Sequence, residues 1–122
     1  MEFLNDIQKE KLTDFIKFVK EKLALKKAPK IIIQNGRMNL KTTANYDYKN
    51  EEKVIRVNGK NRMLVDIMRS VAHEMVHHKQ FEDDRLNGTK PPDIGGDIED
   101  EANAKAGQYI KLYSKKDNTI YD

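Results

Sequence analysis

The stretch that most constrains this chain is Ser70-Val71-Ala72-His73-Glu74-Met75-Val76-His77-His78, an HExxH pattern inside a segment that reads as helix. At 3.6 residues per turn, His73 and His77 stand one turn apart on the same face, so both imidazoles can reach one point. Glu74 lies about a quarter turn round and can address a water at that point without itself being a ligand. Leu64, Ile67, Met68, Val71 and Met75 form an apolar stripe at helical spacing. The helix, expected over residues 62–81 with Asn61 as its N-cap, is therefore amphipathic and packed, with the histidines offset from its apolar centre.

Two neutral imidazole nitrogens suit a single zinc ion, which leaves a coordination position open for water. The chain has no cysteine, which rules out disulfides, thiolate metal sites and a cysteine nucleophile, so a metal must be held by His and carboxylate. The bland alternative is a surface helix with two solvated histidines; the packed stripe beside them argues against it. A catalytic zinc needs a third protein ligand. His78, the remaining histidine, is about 100° round the helix from His77 and points elsewhere. A carboxylate on a later, crossing helix is better placed. Glu99 lies near the apolar face of the last helix and Glu101 is turned outward, so Glu99 is favoured, with Glu101 and a simple helix-capping role for both as alternatives. Ala102, one turn on, lets the two helices approach, and Asn103 can project toward the ligands and accept an imidazole N–H.

The rest of the chain supplies a frame for that pair of helices. Residues 5–25 repeat Leu12, Phe15, Ile16, Val19 and Leu23 at helical spacing. Residues 30–34, 42–48 and 53–57 read as short strands separated by turns at Asn35-Gly36 and Asn58-Gly59, giving a small, mostly antiparallel three-stranded sheet. Residues 82–97, with Pro91-Pro92 and Gly95-Gly96, read as a long loop, residues 97–113 as the last helix and residues 114–122 as a frayed polar tail. The expectation is one α+β domain over residues 1–122. Net charge is +3 with lysines and acids interleaved, which predicts a mixed solvated surface rather than a nucleic-acid patch. No N-terminal leader and no membrane-spanning stretch is recognisable, so a soluble cytoplasmic protein is expected, of oligomeric state that the residues leave open.

HExxH followed on a later helix by E-x-x-A-D or a variant resembles the gluzincin class of zinc metallopeptidases. The matching residues are His73, Glu74 and His77, then Glu99, Ala102 and Asn103, with Asn103 where the class commonly has aspartate. The small size is also similar to minimal zincin-like proteins of phages and bacteria. The resemblance implies a zincin-like fold, zinc held by His73, His77 and Glu99, Glu74 as general base and acid, and a peptide or protein substrate aligned along an edge strand between Thr42 and Val57. Two other readings stay open: a zincin-shaped metal-binding protein of weak or no activity that serves recognition, and a nucleic-acid-associated module.

Overall fold

The computed structural model describes residues 4–38, 40, 42–86 and 96–121. Its order is helix α1 (Asp6–Leu23), strands β1 (Lys30–Gln34), β2 (Ala44–Asp47) and β3 (Val54–Asn58), then helices α2 (Leu64–Glu82) and α3 (Gly96–Ser114) and a 3₁₀ turn at Asn118–Tyr121. The α+β class expected from the sequence is the one observed.

Helix α1 starts in a capping box: Asn5 Oδ1 accepts from the Gln8 N–H while the Gln8 side chain accepts from the Asn5 N–H. Two of the helix's first donors are satisfied this way. It ends at Ala24, whose left-handed backbone (φ 53°) lets its N–H close back onto Lys20 and Glu21. Leu12, Phe15, Val19 and Leu23 are its buried face.

The sheet differs from expectation in one pairing. β3 is central, antiparallel to β2 but parallel to β1, so the sheet is mixed rather than mostly antiparallel. Asn35-Gly36 does not close a hairpin. The Gly36 N–H instead donates to Asn58 Oδ1, and the Gly59 N–H donates to the Gln34 carbonyl, tying the ends of β1 and β3 side by side. One face of the sheet buries Ile33, Tyr46, Ile55 and Val57, and α2 packs across β2 and β3.

Helix α2 begins later than expected. Met63 occupies the N-cap position with no side-chain cap, and Asn61 sits in a left-handed turn (φ 57°) before it. The missing cap is tolerated because Leu64, Val65, Ile67 and Met68 bury the first turns, and packing rather than capping carries most helix stability in a folded chain. Buried Ala102 and Ala106 on α3 present little bulk, and α2 and α3 form the most extensive contact between elements. The expected loop falls mainly on residues 87–95, which lie outside the described residues. The tail is not frayed over 118–121: Ile120 is fully buried in the 3₁₀ turn, and Lys11 Nζ donates to Thr119 Oγ1. Buried Ile120 and the Lys11 bond together tie the turn to the rest of the fold. No helix among the described residues is long and apolar enough to cross a membrane.

Candidate metal centre

His73 and His77 project from the middle of α2 and Glu99 from the first turn of α3. Their Nε2, Nε2 and Oε1 atoms form a triangle: 3.1 Å between the imidazoles, 2.9 Å from His77 to Glu99 and 3.3 Å from His73 to Glu99. They are the only group of three or more His, Cys, Asp or Glu among the described residues arranged to hold a metal ion. Donors bound to zinc at about 2.0–2.1 Å in a tetrahedron stand about 3.3 Å apart, so the triangle fits one face of such a site.

The protons point the same way. Gln80 is fully buried one turn beyond His77, and its Nε2 donates to the Ile98 carbonyl (3.0 Å) and to Glu101 Oε1 (2.9 Å). With both amide hydrogens committed to oxygens, Gln80 Oε1 must be the atom facing His77 Nδ1, 2.8 Å away. His77 Nδ1 therefore carries the N–H. His77 is 1% exposed, and burial pulls its pKa below the ordinary value, with His73 adding to that and bonds to Gln80 and Glu99 opposing it. A neutral His77 with its hydrogen on Nδ1 presents a bare lone pair at Nε2, directed at the carboxylate oxygen of Glu99. Two acceptors at 2.9 Å repel unless a cation or a proton lies between them, and this arrangement suits a metal ion.

Glu74 occupies the same helical turn as His73 but makes no protein hydrogen bond among the described residues. The residue is 5% exposed, and its pKa is pushed up to about 8 by burial and then by the charge of Glu99. A carboxyl in that range can take and return a proton near neutral pH. Glu74 lines a cleft of about 530 Å³ together with His73, Glu99, Asn103, Ser70 and Thr43.

The remaining expected residues fall as follows. Glu101 is not with the imidazoles: it accepts from Gln80 and from Arg85 Nη1 (2.6 Å). Burial raises its pKa, but these bonds outweigh burial and hold it below the ordinary carboxylate range. His78 points away, with Tyr46 Oη 2.6 Å from Nδ1 and the Lys27 carbonyl 2.6 Å from Nε2, clamping the connection before β1 onto α2. Asn103 lines the cleft but is exposed and holds neither imidazole, so the orienting role expected of it falls to Gln80. The sequence signal for Gln80 was its position three residues after His77, where side chains on one helix meet.

No family model, no curated protein and no solved structure matches this chain.

Proposed function

We propose that the protein is a zinc metallopeptidase of the gluzincin type, with His73, His77 and Glu99 as ligands and Glu74 as the proton carrier. The observation that carries this reading is the convergence of two imidazole Nε2 atoms and one carboxylate oxygen within 3.3 Å beside a buried glutamate that no group among the described residues neutralises. Zinc held there supplies Lewis acidity and brings water ionisation into the neutral range. Gln80 fixes the tautomer of His77 and so keeps Nε2 available. Glu74 accepts a proton at its carboxylate from the attacking water and returns it to the leaving amine, with no net proton consumed at the residue over the cycle.

The position of β2 supports a peptide substrate. It is an edge strand, paired with β3 on one side, and Thr42, Thr43 and Ala44 at its start line the same cleft as His73 and Glu74. An extended chain can add to such an edge through main-chain hydrogen bonds. The test pairs metal analysis of the purified protein with cleavage of a peptide library. Stoichiometric zinc, cleavage by the wild type and loss of cleavage with retained zinc in Glu74→Gln are expected. Zinc binding without cleavage of any library member refutes the peptidase assignment.

A further inference from the structure

The half of the cleft on the N-terminal side of His73 contains a cation in excess. Arg62 lies between β3 and α2, and its guanidinium donates to three neutral acceptors: the Asn58 carbonyl (2.8 Å), the Asp66 carbonyl (3.1 Å) and Ser70 Oγ (2.8 Å). Three of its five N–H groups are used in this way, which leaves two for another acceptor. No ion pair to Arg62 forms among the described residues. The Asp66 carboxylate, although in the same cleft, makes its approach to Arg69 at 3.9 Å, with both side chains about half exposed. Burial lowers the pKa of Arg62, with the field of Asp66 opposing, as for a charge partly removed from water and incompletely balanced.

The position of this charge relative to the metal centre follows from the helix. Ser70, to which the guanidinium is bonded, stands three residues before His73 and one turn before Glu74 on α2. A turn rises about 5.4 Å, so the guanidinium, bonded to both Asp66 and Ser70, is about one to two turns from the residues that would act on a scissile bond. Arg62, Arg69, Asp66 and Ser70 line the cleft continuously with His73 and Glu74. Among the described residues, two arginines against one aspartate leave a single positive charge in this half, which a monoanion balances and a phosphate dianion overshoots. Both Nη2 hydrogens are taken by the Asp66 carbonyl and Ser70, so the Nε–H and the second Nη1–H remain to give a carboxylate oxygen single charge-assisted bonds.

We propose that Arg62, assisted by Arg69, forms a carboxylate-binding subsite beside the metal centre and selects peptides with an acidic side chain or a free C-terminal carboxylate next to the reacting bond. The three bonds of Arg62 also join the end of β3 to α2. Neutral acceptors satisfy that structural task and leave the charge available.

The proposal rests on the peptidase reading, but its test is a binding measurement. The zinc-loaded Glu74→Gln protein is titrated with labelled peptides in two pairs: an internal Glu against Gln with an amidated end, and a neutral sequence with a free against an amidated C-terminus. A preference of about tenfold or more for the acidic member is expected in one pair, as for a charge-assisted bond, and the pair that shows it identifies the source of the carboxylate. Arg62→Gln, which removes the charge while keeping an amide that can bond the neutral acceptors, is expected to reduce that preference severalfold. Arg69→Gln, at an exposed position that does not endanger folding, is expected to reduce it about threefold or more. Equal affinities within both pairs, absence of peptide binding, or an unchanged preference in Arg69→Gln overturns the proposal. An acid preference in a protein that never hydrolyses its ligands keeps the subsite and removes the peptidase reading; hydrolysis without the preference does the reverse.

Discussion

Replacing Gln80 by leucine separates the tautomer argument from simple metal ligation. Leucine has nearly the volume of glutamine, so the substitution removes three hydrogen bonds without opening a large cavity. The His77 Nδ1–H loses its partner in a buried position, while the Ile98 carbonyl keeps its place in the helix ladder of α3 and Glu101 keeps Arg85. A buried group left unpaired costs about 1–3 kcal/mol, so the metal-free variant should lose roughly that much in urea denaturation. That lies at or below the total stability of an ordinary domain, about 5–15 kcal/mol, so a folded population is expected. The second effect is on the metal. A His77 ring no longer held by an acceptor can place its hydrogen on Nε2 or rotate, and zinc affinity is expected to fall about 10- to 100-fold in competition with a chromophoric chelator. Gln80→Glu sharpens the test. Its second oxygen replaces an N–H opposite the Ile98 carbonyl and Glu101, so it should be destabilising at pH 7 and less so as acid protonates the new carboxyl. A folded Gln80→Leu protein with zinc affinity within about twofold of wild type refutes the tautomer argument.

Other expectations follow from the same geometry. Glu99→Gln should weaken zinc roughly a hundredfold or more, beyond the loss of a ligand's hydrogen-bond partner, while Glu101→Gln should change it only a few-fold; reversed effects in the chelator assay would exchange the two roles. The metal-free protein should lose stability as pH rises from about 6.5 to 8. Glu74 keeps its proton to about pH 8 when folded against an ordinary value of 4.5, so the folded chain binds more protons there, with a limiting slope of about 1.4 kcal/mol per pH unit. His77 and His78, whose folded pKa values are lowered from 6.5, act oppositely: their contribution is present above that value and is lost as acid is added. Glu74→Gln should abolish the alkaline loss alone, and an unchanged denaturation profile from pH 6.5 to 8 would contradict it. Ile120→Ala should cost about 2–4 kcal/mol, as for a core isoleucine, whereas a neutral effect would mean that the 3₁₀ turn contributes nothing to folding.

What the sequence made legible was local. His73 and His77 share a face by helical spacing alone, and the phase of Ile98, Ala102 and Ala106 separates Glu99 from Glu101 without reference to another element. What escaped it depended on distant partners. The parallel pairing of β1 with β3 is set where Gly36 and Gly59 meet Asn58 and Gln34, a contact between residues more than twenty positions apart. The orienting role of Gln80 needs the Ile98 carbonyl and Glu101 on another helix before its amide direction is defined. Ile120 gave no period to read, because a single apolar residue in a polar tail is ambiguous until the core is there to receive it.

Helix α3 is held at its far end by Tyr113, whose ring packs edge-on against Phe15 at 5.3 Å and whose hydroxyl donates to Asp14 Oδ2 at 2.6 Å. Glu99 stands fourteen residues earlier, at about 1.5 Å per residue, or roughly 21 Å along a stiff rod. A tilt of about 3° at the aromatic seam would sweep the carboxylate through about 1 Å, several times the 0.2 Å tolerance of a metal–ligand bond. A metal ion held by His73, His77 and Glu99 would therefore be sensitive to how this aromatic seam packs at the opposite end of α3.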